Sequence, residues 1–129
     1  DGVKQIAFGD LFLEDIRRYR EEKLAGTGLK PLFPVWGKDT AVLARDMIAA
    51  GLRTHVSVID KSKLDASFAG RMFDAKFLSD LPAGIDPCGE NGEFHTCVSA
   101  GPMFMHALHL TPGEVVDRDG FVFADLVLN

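Results

Sequence analysis

The sequence predicts an α/β protein that changes character near residue 52, with a parallel α/β portion over residues 1–51 and a smaller mixed α+β portion over residues 52–129. Three observations predict it. Residues 3–60 alternate short apolar runs with amphipathic stretches in the order β-α-β-α-β, the pattern of parallel strands with covering helices. Residues 82–92 (PAGIDPCGENG) are dense in turn formers and read as a loop. The end of the chain is β-rich around Arg118-Asp119-Gly120, where Asp-Gly is a strong hairpin signal.

The elements follow in order. Val3 to Phe8 is a short apolar run closed by Gly9-Asp10, a strand and its turn. LFLEDIRRYREEKLAG then places Leu13, Ile16, Tyr19 or Arg20, and Leu24 at helical spacing, with Gly26 and Gly28 as stop signals. KPLFPVW is a second strand, restricted by its two prolines to an edge or a terminus. Asp39 or Thr40 caps a helix, TAVLARDMIAAG, that ends at Gly51. Arg53 to Asp60 alternates Thr54, Val56 and Val58 against His55, Ser57 and Ile59, as a third strand does. A helix-like stretch over residues 62–81 is broken near Gly70, and three β segments follow: EFHTCV, MFMHALHL and the EVVDRDGFVFADLVL hairpin. No internal repeat or low-complexity segment interrupts this order.

Composition excludes several function classes. A hydrophobic content of 47% supports a packed core, so this is not a disordered tail. Fourteen basic against nineteen acidic residues, a net charge of −5, argues against general nucleic-acid binding. No apolar run approaches the roughly 20 residues of a membrane-spanning helix. The first residues, DGVKQIAFGD, lack the charged and apolar regions of a secretory signal. Cys88 and Cys97 are too few for a disulfide scaffold and read as reduced thiols in a cytoplasmic protein.

The candidate chemistry is concentrated in CGENGEFHTC, residues 88–97. With Glu93 to Val98 as a strand, Glu93, His95 and Cys97 share one face, and Phe94, Thr96 and Val98 share the other. A carboxylate beside an imidazole fixes its tautomer and raises its basicity. Gly89 and Gly92 permit close backbone approach to a ligand. The same spacing also fits a polar, solvent-facing edge strand after an ordinary turn. Cys88, His95 and Cys97 with Glu90 or Glu93 are of metal-ligand type, but no metal-binding motif with its spacing is present and no metal site is assigned. VWGKDT superficially suits a phosphate loop, yet Leu32 and Asp39 stand where the pattern needs Gly and Ser/Thr; it reads as a turn and helix cap. Gly9 and Asp10 end a strand at its carboxyl edge, where open α/β sheets bind ligands; Asp10 faces a nucleotide there or caps the next helix. His106 and His109 do not share a strand face and form no ligand pair.

FGDLFLEDIRRYREEKLAGTGLKPLFPVWGKDT, LDASFAGRMFD and DPCGENGEFHT together resemble the diphthine–ammonia ligase family of ATP pyrophosphatase-like proteins, whose bacterial members are often called adenosine nucleotide hydrolases. The resemblance covers nearly the whole chain. Its most specific part is Gly89-Glu90-Asn91-Gly92-Glu93-Phe94-His95-Thr96, which matches the family's Gly-Glu-x-Gly-Glu-(Phe/Tyr)-x-Thr signature. The resemblance implies that residues 1–51 are the tail of a HUP-type nucleotide-binding domain, with Gly9 and Asp10 toward the nucleotide. It implies a substrate-binding domain over residues 52–129, with Gly89, Glu90, Asn91, Gly92, Glu93, His95 and Thr96 in the acceptor pocket. The implied reaction uses ATP and Mg²⁺: a carboxylate is activated as an acyl-adenylate with release of pyrophosphate, and ammonia then displaces AMP to give an amide. No catalytic residue is assigned.

Two departures qualify what is carried over. The family's Ser-Gly-Gly-Lys-Asp-Ser phosphate loop is absent, and Gly37-Lys38-Asp39-Thr40 falls at a different place in the pattern. The chain is therefore expected to be the C-terminal part of a longer protein, a poor ATP binder alone, and partnered by the missing half as a separate chain or by a second copy of itself. Phe94-His95-Thr96 also stands where archaeal and eukaryotic members have Tyr-Glu-Thr, so the chemistry transfers better than the acceptor does. The alternative is a non-catalytic nucleotide-binding or interaction module of the same fold.

Overall fold

The computed structural model describes residues 2–129 as a mixed α/β protein in two compact units, within residues 1–40 and 41–129. In the first unit, β1 (Gln5–Ala7) and β2 (Lys30–Leu32) pair in parallel, Gln5 with Lys30 through Ala7 with Leu32, and α1 (Glu14–Leu24) connects them. Glu14 and Asp15 in the first turn and Lys23 in the last complement the helix dipole. Pro31 carries no N–H for a second ladder, and the chain turns away through Phe33–Gly37, which keeps β2 short. The half-buried face of α1 combines Ile16 and Leu24 with the guanidinium groups of Arg17 and Arg20. Arg17 stacks on the Phe33 and Trp36 rings at 4.6 and 4.8 Å, and Arg20 on Phe8 at 4.6 Å. Arg20 thus takes the inward position that Tyr19, 54% exposed, does not.

The second unit contains all but the first residue of α2 (Thr40–Ala49), then β3 (Arg53–Asp60), a 3₁₀ turn at Ala66–Phe68, α3 (Ala75–Asp80), β4 (Phe94–Ala100), β5 (Leu110–Arg118) and β6 (Phe121–Leu128). Its sheet runs β4-β3-β6-β5 and is antiparallel throughout. This corrects the expectation that β3 continues a parallel sheet: β3 takes β4 on one edge, and residues 70–73 and β6 on the other. A β-α-β order sets parallel pairing only where no later strand competes, and here three later segments do.

The core is phenylalanine-rich. Phe77, fully buried on α3, meets Phe68, Phe73 and Phe94 with ring centroids 5.3–5.6 Å apart. Asp74 caps α3 by accepting the Phe77 N–H at 2.8 Å, which sets the entry angle of that ring. Ala44 joins the same core, with Met47 and Ile48 packed against it.

The stretch MFMHALHL forms no strand before Leu110; Met105 is 92% exposed, and the Leu108 N–H donates to the Ser99 carbonyl at 2.8 Å. The Asp119-Gly120 hairpin is present, both residues at positive φ (51° and 84°) as a type I′ turn requires. Among the described residues, no helix is long and apolar enough to cross a membrane.

Candidate functional site

The loop from Asp86 to Glu93 is built by its own side chains. Two turns follow each other, the Gly89 N–H donating to the Asp86 carbonyl and the Gly92 N–H to the Gly89 carbonyl, both at 2.9 Å. Asp86 Oδ2 accepts the N–H groups of Cys88 and Glu90 at 3.1 and 3.0 Å. Glu93 Oε1 closes the loop from the other end, accepting the Asp86 N–H at 3.0 Å and the Asn91 side-chain amide at 3.4 Å. Gly89, at φ 69°, sits where a Cβ would stand 2.8 Å from the Phe94 carbonyl oxygen. Glycine is thus required there on two counts, conformation and space.

Glu93 is the unusual member. It is 3% exposed, and its Oε2 is buried with no hydrogen-bond partner among the described residues. A buried carboxylate oxygen without a donor is costly, which makes it a position where a donor from outside would be strongly favoured. The expected Glu93–His95 couple does not form: β4 begins only at Phe94, Glu93 turns into the loop, and His95 is exposed with no hydrogen bond or ion pair to it among the described residues.

Beside the loop lies a cavity of about 160 Å³ between Thr54, Thr96, Cys88, Phe94, Val98 and Met47. Its lining is mostly apolar, with Thr54 and Thr96 among the lining residues, the usual make-up of a small-ligand site. Thr54 Oγ1 is buried and unpaired among the described residues. Burial, then Asp86 and Glu90, push the Cys88 thiol up to about 11, away from the thiolate form that a nucleophile needs. Neither cysteine is in a disulfide, and no three His, Cys, Asp or Glu side chains among the described residues gather to hold a metal ion.

The structure thus brings together Gly89, Glu90, Asn91, Gly92 and Glu93 in one loop, with His95 and Thr96 on the strand that leaves it. Gly9 and Asp10 belong to the first unit. There Asp10 accepts Arg20 Nε and Nη2 at 2.9 and 3.2 Å, and the α1 N-cap is Leu13, so Asp10 is an ion-pair partner rather than a helix cap. Sequence reasoning missed Asp86, Thr54 and Lys63, whose Nζ donates to the Asn91 carbonyl at 2.7 Å. An Asp ahead of a Pro-Cys-Gly turn is a signal for Asp86; Lys63, far off in sequence, carries none.

A family model described as the diphthamide synthase C-terminal domain matches residues 39–123. The chain belongs to that family. Among its relatives, a diphthine–ammonia ligase of Schizosaccharomyces pombe is 34% identical over 95 residues, 70% of this chain and 16% of the yeast protein. The human diphthine–ammonia ligase is 28% identical over 128 residues, covering 95% of this chain and 48% of the human one. That of Danio rerio is 29% identical over 130 residues, covering 96% and 49%. The chain therefore spans about half the length of its vertebrate relatives, and less of the yeast one. The family match includes the whole Asp86–Glu93 loop and the cavity beside it.

Proposed function

We propose that this chain is the acceptor-binding portion of an ATP-dependent, adenylate-forming amide ligase of the diphthine–ammonia ligase type, working in the cytoplasm. In this reading residues 1–51 are the tail of a HUP-type nucleotide domain and residues 52–129 hold the acceptor. The acceptor's carboxylate attacks the α-phosphate of ATP, pyrophosphate leaves, and ammonia then attacks the acyl carbon and expels AMP. Mg²⁺ on the ATP phosphates would neutralise their charge, and no residue of this chain is assigned to hold it. Gly9 and Asp10 lie toward the nucleotide, Asp10 as part of its pair with Arg20. The Ser-Gly-Gly-Lys-Asp-Ser loop that this reaction needs is not among residues 1–129, so the reaction requires the polypeptide that carries it.

The observation that carries the reading is Glu93, held at the base of the family's signature loop with one oxygen engaged and the other unpaired. An amine or amide donor of the acceptor, or the incoming ammonia, satisfies that oxygen, while Glu90, Asn91, His95 and Thr96 supply the loop's remaining polar contacts. The proposal is tested by combining the chain with a polypeptide that carries the phosphate loop and measuring AMP and pyrophosphate release with a carboxylate acceptor and ammonia. Glu93→Gln keeps the loop-closing acceptor and removes the charge. It is expected to weaken acceptor binding and turnover by about 10–100-fold, the range for a lost hydrogen bond to a charged group. Unchanged acceptor affinity and turnover would overturn the assignment. Adenine-nucleotide binding without any turnover would favour a non-catalytic module.

A further inference from the structure

A second cavity, about 180 Å³, lies on the other face of the β3–β4 pair. The pleat explains its lining: Thr54 and Val98 turn toward the cavity beside the loop, whereas Arg53, His55 and Ser99 line this one. Leu108 and His109 form a further wall, tethered by the Leu108 N–H to the Ser99 carbonyl (2.8 Å) and by the Asn129 N–H to the His109 carbonyl (2.9 Å). Ser99 Oγ donates to the Arg53 carbonyl at 3.2 Å and fixes the start of β3.

The chemistry of the lining is one-sided. Its titratable side chains are Arg53, His55 and His109, and no carboxylate side chain lines it, in a chain with nineteen acidic and fourteen basic residues. Arg53 has no ion-pair partner among the described residues. His55 is 8% exposed, and its Nδ1 is buried with no hydrogen-bond partner among them. A guanidinium presents a planar fork of donors suited to an oxyanion, and a neighbouring imidazole adds a further N–H.

We propose that this cavity is an oxyanion site, in which Arg53 and His55 hold the carboxylate or phosphoryl group of a small ligand and His109 closes over it. The volume corresponds to about six waters at roughly 30 Å³ each, room for a phosphate or a short carboxylic acid. The site is separate from the Asp86–Glu93 loop and stands or falls independently of the ligase reading. Burial, and then the Arg53 charge, lower the pKa of His55. An anion beside Arg53 relieves the second of these influences, so its arrival is legible in the imidazole resonances.

The test titrates inorganic phosphate and acetate separately into the protein, with sodium chloride at matched ionic strength as control, following the His55 and His109 ring signals by NMR. A saturable shift with at least one oxyanion and none with chloride is expected, and the two titrations separate phosphoryl from carboxylate preference. Arg53→Gln, an exposed site, should weaken the binding about tenfold or more with the melting temperature unchanged. Since His55 is buried and its loss endangers the fold, His109→Gln serves as the second variant and should weaken binding by a smaller factor. A non-saturating drift common to all three salts overturns the proposal. So does a saturable response that survives Arg53→Gln intact.

Discussion

Gly89 and Gly92 offer a matched pair for measuring how tightly the signature loop is built. Both hold positive φ, 69° and 75°. A Cβ on Gly92 would have only Lys63 Nζ within 4 Å, at 3.9 Å, whereas one on Gly89 would stand 2.8 Å from the Phe94 carbonyl oxygen and 3.1–3.2 Å from its ring. The left-handed conformation costs an L-residue about 1–2 kcal/mol. Reduced entropy of the unfolded chain returns about 0.4–1 kcal/mol of that. Gly92→Ala is therefore expected to destabilise by about 1 kcal/mol or less. Gly89→Ala carries the same net strain plus overpacking against a backbone carbonyl and a core ring, about 1–3 kcal/mol more, for a total of about 1–4 kcal/mol. The Phe94 ring has little freedom to yield, being 3% exposed and packed 5.3 Å from Phe77. Thermal and urea unfolding followed by circular dichroism read the difference; in a unit of this size each kcal/mol is about 4–8 °C in Tm. Losses for the two variants within about 0.5 kcal/mol of each other would refute the close approach of Gly89 to Phe94.

Asp10→Asn leaves Arg20 one acceptor in place of a bidentate carboxylate and is expected to destabilise the first unit by about 1–2 kcal/mol, read by Trp36 fluorescence during urea unfolding; an unchanged midpoint would refute it. Cys97, exposed, should be alkylated by iodoacetamide at pH 8 well before Cys88, whose thiol is pushed up to about 11; peptide mass mapping that finds Cys88 modified first contradicts that environment. Burial and then the neighbouring Arg53 hold His55 below its ordinary value, so the unfolded chain takes up the proton first as pH falls. Stability from this group is complete above about pH 6.5 and is lost progressively below it, down to the folded pKa. Since Arg53 and His109 line the same cavity, His55→Gln is compared with His109→Gln: the first should flatten the acid limb of the stability–pH curve more than the second, and equal slopes would refute the assignment.

What could be read in the sequence was local chemistry. The Asp119-Gly120 turn was legible because positive φ at two successive positions is a requirement of the residues themselves. The glycines of the signature loop were legible for the same reason. The pairing of β3 was not, since its antiparallel strand partners β4 and β6 arrive 34 or more residues later and, with residues 70–73, outcompete the parallel neighbour that the element order suggests. Nor was its face. Val56 pairs with Thr96 but Val58 with His95, and this register shift inserts one residue into β3. Ile59 is thereby carried to the core side beside Val56, both with no exposed surface, against the strict alternation expected. Glu93 is where the two kinds of information meet. Its residue type and its place in the loop were readable; its burial depended on β4 starting one residue later than expected and on Asp86 offering an N–H from seven residues back. That burial changes the chemistry, because a solvated carboxylate needs nothing further, whereas one with a dry, unpaired oxygen is a demand for a donor.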